Sequence, residues 1–247
     1  MRVFFTDRFD IREGEVLLSG DNHHHIKNVL RLPPGEEILV KTGGSKSFIC
    51  GITGFESDRV VCRVKESFQE DTELPVSIDI FQGLPKGDKM ELIIQKCTEL
   101  GAAGIIPVMT SRSIVKLDEK KKKTKHERWE KIAQNASEQS RRDRVCRVGE
   151  PVTFAEAVNE AAGYDHFLLP YECAEGFSYT RDVFGRIKPG ERVALFIGPE
   201  GGFSDEEVSL AKDAGAEVIT LGRRILRTET AAMYVLSVMG YLFEGDS

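Results

Sequence analysis

The chain has 247 residues, 40% of them hydrophobic and 30% charged, which suits one large or two small folded domains and excludes a disordered description. No apolar run approaches the roughly 20 residues of a bilayer span, and the N-terminal MRVFFTDRFD lacks a signal-peptide core, so a cytoplasmic protein is expected. The formal net charge of −6 does not exclude a nucleic-acid partner, because residues 116–147 carry +6 and residues 148–247 carry −9.

Residues 1–72 hold short β-type runs at Val3–Phe5, Ile38–Val40, Ser47–Ile52 and Val60–Lys65, separated by turn residues such as Pro33-Pro34-Gly35 and Gly43-Gly44. One helix is predicted from Asp21 to Arg31. Short strands at this spacing suggest a small β-barrel, and the polar stretch 69–73 serves as a linker. From residue 73 to 247 the pattern changes to strands alternating with helices. VSIDIFQ (76–82) precedes a helix with Met90, Ile93, Ile94, Cys97 and Gly101 on one face, followed by GIIPV (104–108). A long helix is predicted from Glu127 to Arg142 and another near 154–161. Then come HFLLP (166–170), RVALFIG (192–198), a helix from Ser204, EVITLG (217–222) and a last helix from Glu229 to Phe243. Such alternation predicts an α/β domain with a mainly parallel sheet. Five scattered cysteines (Cys50, Cys62, Cys97, Cys146, Cys173) without a C-x-x-C pair suit a reducing compartment, not a disulfide framework or zinc ribbon.

Four stretches carry candidate chemistry. In FIGPEGGFSDEE (196–207) an apolar strand runs into Gly198-Pro199-Glu200-Gly201-Gly202, and Ser204 with Glu207 spells a capping box. Glycines at a strand-to-helix turn let backbone amides approach a ligand, although neither a dinucleotide fingerprint nor a Walker loop is present. In LGRRILRTETAAMYVL (221–236) a second strand ends at Leu221-Gly222, and Thr228 reads as an N-cap, with Glu229 offsetting the helix dipole. The third, QNASEQSRR (134–142), ends the long helix. Its Arg141 and Arg142, with Arg144 and Arg147, offer forked donors for phosphates, whereas Lys120–Lys123 reads equally as phosphate-facing or as a solvated loop. The fourth, GLPKGDKMELIIQKCTELG (83–101), places Lys89 inside a helix, which argues against an NTP loop. His23, His24 and His25 point about 100° apart on a helix and so do not face one metal ion together.

Taken together, these stretches resemble the SPOUT class of methyltransferases, and more closely the bacterial family that methylates N3 of a uridine in small-subunit (16S) ribosomal RNA. HHHIKNVLRL, KGDKMELIIQKCTELG, EQSRR, FIGPEGG and LGRRILRTETAA follow the family's order over essentially the whole chain. One departure is Arg141, where the family more often has glycine. The resemblance implies a PUA-like β-barrel RNA-binding domain (1–72) and a SPOUT domain (73–247) with a deep trefoil knot. It further implies S-adenosylmethionine as cofactor, 16S rRNA as partner, and a homodimer. It assigns cofactor contacts to Leu169, Pro170, Gly198, Glu200, Gly201, Gly202, Leu221, Gly222, Ile225, Leu226, Arg227 and Thr230. Expected RNA contacts are Arg2, Arg8, His25 and Arg31 in the N-terminal domain, extended by Lys86, Arg112, Arg141 and the basic segment. In the chemistry that this implies, Arg142 or Arg227 stabilises charge on the uracil oxygens, and Glu229 either takes the N3 proton or serves the helix start alone. A ribose 2′-O-methyltransferase of the same class, or a non-catalytic RNA-binding assembly factor, would carry overlapping motifs.

Overall fold

The computed structural model describes residues 1–6, 14–44, 46–113, 118–172 and 176–244; Arg8 and Cys173 lie outside them. The chain divides into two compact units, Met1–Glu73 with Ser137–Val145 and Leu74–Ala136 with Cys146–Ser247. Segment 137–145 therefore groups with the N-terminal unit, which an uninterrupted boundary at 72/73 does not anticipate.

In the first unit, β1 (Arg2–Phe5), β2 (Glu15–Ser19), β3 (Glu37–Lys41), β4 (Lys46–Phe55) and β5 (Arg59–Gln69) form one sheet in the order β1-β3-β4-β5-β2. Only β1 and β3 pair in parallel. Alternation drives the curl of this barrel-like sheet: Val16 and Leu18, Ile38 and Val40, Val60 and Cys62 face one interior. Register shifts at Ile49/Cys50 and Ile52/Gly54 bend the long β4–β5 ribbon. The predicted Asp21–Arg31 helix is α1 (Asp21–His24) continued by a π-helical turn, His25–Val29, whose Ile26 enters the same core. His25 is half-buried with its ring edge-on to Phe4, while His24 is exposed. Burial pushes the Cys50 thiol up to about 11 and Cys62 up to about 12, so both act as small apolar side chains.

Segment 137–145 is fastened to this sheet by buried charge. Lys41, fully buried at the end of β3, donates from Nζ to Asp143 Oδ1 at 2.7 Å and to the Arg141 carbonyl at 2.6 Å. Asp143 and Thr72 exchange hydrogen bonds between side chain and backbone in both directions. Arg142, 3% exposed, forks onto both carboxylate oxygens of Glu73.

The second unit holds a parallel sheet built from β6 (Ser77–Gly83), β7 (Gly104–Met109), β8 (Arg147–Val148), β9 (Val152–Thr153), β10 (His166–Pro170), β11 (Arg192–Ile197) and β12 (Glu217–Ile219). The order is β12-β10-β11-β6-β7-β8, with β9 also on β7. The chain thus lays β10 one place away from β6, fills the gap with β11, and returns past β10 to place β12. Successive residues of β11 face opposite layers: Val193, Leu195 and Ile197 on one side, Ala194 and Phe196 on the other. Burial on both faces is why these strands read as unbroken apolar runs. The first face is covered by α2 (Lys89–Glu99), α3 (Glu119–Gln139), α5 (Phe177–Arg186) and α7 (Thr228–Phe243), and the second by α4 (Phe154–Ala161) and α6 (Asp205–Asp213).

Two predicted boundaries move. Helix α3 begins at Glu119, eight residues earlier than its apolar spacing predicts, so Lys120–Lys123 lie on a helix and not in a loop; Lys121 pairs with Asp118 and Lys122 with Glu119. Gly101 lies beyond α2 with φ +90°, ending the helix and not lining it. Strands β2, β8 and β9 and helix α5 are present without having been predicted. No helix among the described residues is long and apolar enough to cross a membrane.

Candidate active site

The carboxyl ends of β10, β11 and β12 open into a cavity of about 680 Å³, within the size range of small-molecule sites. Ligands of open α/β sheets gather at such strand ends. Its walls are Pro170 and Tyr171 after β10, Gly198–Phe203 after β11, and Thr220–Thr228 after β12, with Lys89 and Arg112 at the side. All of these residues belong to the second unit.

The loop after β11 is pressed against its surroundings. A Cβ on Gly198 would lie 3.0 Å from the Gly202 Cα, and one on Gly201 3.2 Å from the Arg112 Cβ. Ser204 caps α6 by accepting from the Glu207 amide, and Glu207 accepts in return from Ser204 N and, at 2.7 Å, from Ser111 N. The cap thereby joins the glycine loop to the segment that carries Arg112, whose Nη1 donates to the Gly201 carbonyl at 3.0 Å.

Thr228 does not cap α7; Arg227 occupies that position without a side-chain cap. The Thr228 hydroxyl instead donates to the Gly198 carbonyl at 2.7 Å and accepts from Gln82 Nε2 at 2.8 Å. One buried hydroxyl thus ties the start of α7, the end of β11 and the end of β6 together. Gly83, next along β6, admits Pro199 so closely that a Cβ would sit 2.5 Å from the proline Cδ.

Charge at the site is organised by Lys89. Its ammonium donates to Glu200 Oε1 at 2.8 Å and lies 3.8 Å from Glu229 Oε2. Hydrogen bonding to Glu200 raises the Lys89 pKa above the ordinary lysine value. Burial acts to raise the Glu200 carboxyl, but hydrogen bonds from Lys89 and from backbone amides, including that of Lys86, outweigh it and hold the group below the usual range. Glu229 Oε2 is buried without a hydrogen-bond partner among the described residues, and its Oε1 is 4.0 Å from Arg227 Nη1.

Most of the expected cofactor contacts gather at this cavity, and others lie away from it. Pro170, Gly198, Glu200, Gly201, Gly202, Leu221, Gly222, Ile225, Leu226 and Arg227 line the cavity, and Arg112, expected on an RNA surface, joins them. Leu169 does not: it is buried in the core within β10, and the cavity wall begins with Pro170 and Tyr171 at the strand's end. Thr230 is exposed one helical step away, and Thr228 and Ala231 line the wall. Arg142 is not among the residues that line the cavity: its guanidinium is buried on Glu73 in the first unit. Gln82 and Gly83 are positions whose site roles sequence reasoning missed, the glycine closing FQG, a strand end, being the one legible sign; Lys89 was read as a candidate phosphate contact and Thr228 as a cap that can also line a site.

A family model described as an RNA methyltransferase domain matches residues 72–240. Ribosomal RNA small subunit methyltransferase E of Bacillus subtilis is 40% identical over 235 residues, covering 93% of this chain and 92% of that protein. Among solved structures, the protein of that name from Neisseria gonorrhoeae bound to S-adenosyl methionine matches at TM-score 0.84 and 32% identity, over 98% of each chain. A methyltransferase from Legionella pneumophila with bound cofactor SAM matches at TM-score 0.83 and 33% identity, over 97% of each chain. With the family model spanning most of the sequence and a 40% identical relative aligned almost end to end, the chain belongs to the RNA methyltransferase family.

Proposed function

We propose that the protein is an S-adenosylmethionine-dependent methyltransferase that modifies N3 of a uridine in small-subunit ribosomal RNA, as a cytoplasmic homodimer. The observation that carries this reading is the glycine-walled cavity where β10, β11 and β12 end, in a chain whose near full-length relatives are small-subunit rRNA methyltransferases. The cavity suits the cofactor. Its glycine walls leave backbone groups bare at Gly198, Gly201, Gly202 and Gly222, and it carries both carboxylates (Glu172, Glu200) and cations (Arg112, Arg227) for a ligand that bears both signs of charge. Residues 198–202 and 221–226, with Pro170 and Tyr171, would hold it.

When bound, S-adenosylmethionine supplies an electrophilic methyl group. The work left to the chain is to make uracil N3 nucleophilic. Arg227, on the cavity wall and 82% exposed in its side chain, provides positive charge for the uracil oxygens. Glu229 Oε2, buried without a hydrogen-bond partner among the described residues and 3.8 Å from the Lys89 ammonium, receives the N3 proton. Arg142, already neutralised by Glu73, is kept for the scaffold of the first unit. Exposed Tyr241 and Leu242 near the end of α7 support self-association.

Labelled S-adenosylmethionine incubated with small-subunit rRNA, followed by nucleoside mass spectrometry, should place the label on the uracil ring. Label on ribose would indicate the 2′-O reaction, and none would favour an assembly factor. The exposed lysines at the start of α3 give a second test. Replacing Lys120 and Lys123 by glutamine should preserve helicity while lowering the slope of log affinity against log salt by about one to two units. An unchanged slope would return these lysines to plain solvated surface.

A further inference from the structure

Gln82 stands one residue before the end of β6 and is fully buried, in a strand that also buries Ile78, Ile80 and Phe81. Glutamine is seldom so buried unless its amide is fully paired. Here the pairing is one-sided. Nε2 donates to the Gly83 carbonyl at 3.0 Å and to the Thr228 hydroxyl oxygen at 2.8 Å, while Oε1 has no hydrogen-bond partner among the described residues. The opposite orientation of the amide would set Oε1 against the Gly83 carbonyl oxygen, two acceptors in contact, so the nitrogen must face that way. An apolar side chain of similar length would fill the same space without a stranded acceptor. The glutamine is therefore explained by what its nitrogen does, not by packing.

What the nitrogen does is fix a direction. A threonine hydroxyl carries one hydrogen and rotates to suit its neighbours. With Gln82 donating into the Thr228 oxygen, the hydroxyl hydrogen is turned outward, and the Gly198 carbonyl accepts it at 2.7 Å. The Gly198–Pro199 peptide has no amide hydrogen, because proline lacks one, so this carbonyl is the one group through which that peptide can be hydrogen-bonded. Immediately beyond it, Gly202 N donates to Pro199 O at 2.9 Å and closes a tight turn, with Gly202 at φ +65°. Such a turn moves with its first peptide, so the hold on Gly198 sets where Glu200 and Gly201 stand in the cavity wall. Gln82 itself is not among the residues that line that wall. We propose that Gln82 is a positioning residue for S-adenosylmethionine, acting through the Thr228 hydroxyl on the loop after β11. This rests on the reading of the cavity as the cofactor site and adds a residue that touches neither cofactor nor RNA.

A double-mutant cycle on the full-length protein, read as S-adenosylmethionine affinity by calorimetry, tests this relay. Thr228→Val keeps the shape and loses the hydroxyl; it should weaken binding about tenfold, and Thr228→Ser should stay within about twofold of the wild type. Gln82→Met should weaken binding about three- to fivefold while the melting temperature holds or rises, because the stranded acceptor leaves with the amide. In the Thr228→Val background, Gln82→Met should cost nothing further. Methylation assays should show the loss in KM for S-adenosylmethionine, with kcat at saturating cofactor within about twofold of the wild type. Unchanged affinity in Gln82→Met, or an equal loss from it with and without the Thr228 hydroxyl, would overturn the relay alone. If Thr228→Val does not fold, Gln82→Met decides by itself, through affinity lost with melting temperature kept. A wild type that does not bind S-adenosylmethionine would overturn the cofactor reading and the relay with it.

Discussion

Gly83→Ala should cost the protein at least a hundredfold in S-adenosylmethionine affinity while leaving RNA affinity nearly intact. The added Cβ would fall 2.5 Å from Pro199 Cδ and 2.7 Å from Pro199 N, separations that real Cβ atoms do not show. Neighbours able to give way are few. Pro199 is fixed in φ by its ring, the Gly198 carbonyl is held by Thr228, and Thr228 is held by Gln82, the residue before Gly83. The loop must therefore move as a body, taking Gly198–Gly202 away from the positions that shape the cavity. Overpacking of this kind costs about 1–3 kcal/mol. The fold should survive that, so the affinity loss is readable by calorimetry on a protein whose circular dichroism is unchanged. Wild-type affinity in a folded Gly83→Ala would show that the loop after β11 does not determine cofactor binding.

How much of this was legible in the sequence follows from where each signal lives. The sheet of the second unit was legible because strands buried on both faces leave apolar runs, and its glycine-bearing ends mark where backbone and ligand meet. The Ser204 cap was legible because its partner Glu207 is three residues away. Thr228 looked like the same kind of cap, yet its hydroxyl goes to Gly198, 30 residues earlier, a pairing that only the interleaved strand order creates. Arg142 was read as a charge for the uracil oxygens, and its ion pair with Glu73, 69 residues away, leaves no local pattern in the sequence. Helix α3 was begun too late because its first turns bury nothing: the first fully buried side chain is Trp129, and short-range ion pairs stand in for apolar periodicity before it. Helix α5 is short, and Thr180 is one of only three buried positions, too weak a pattern to separate from a loop. Arg141 raised doubt about the turn through its missing glycine; the backbone adopts the glycine conformation regardless.

Lys41→Met should destabilise the protein by about 3–5 kcal/mol, the range for removing one partner of a buried ion pair. Methionine reproduces the length and apolar stem of lysine, so packing around β3 changes little and the loss is electrostatic. What remains behind is a carboxylate, Asp143, 2% exposed, whose Oδ1 has lost its ammonium and whose Oδ2 keeps the Thr72 amide at 3.1 Å. The Arg141 carbonyl loses its donor as well. At roughly 2–4 °C per kcal/mol for a chain of this size, the melting temperature should fall by roughly 6–20 °C. Adding Asp143→Asn removes the stranded charge and should restore part of the loss, which makes the pair measurable as a coupling rather than a sum. The consequence for function separates the two units. Segment 137–145 carries Arg141 and belongs with the first unit, whereas the cavity is lined by second-unit residues alone. Well below the melting transition, Lys41→Met should therefore bind rRNA more weakly, because Arg141, expected among the RNA contacts, is no longer held, and bind S-adenosylmethionine as the wild type does. Equal losses for both ligands would mean that the buried lysine supports the cavity too, and that the two binding functions are not built on separate cores.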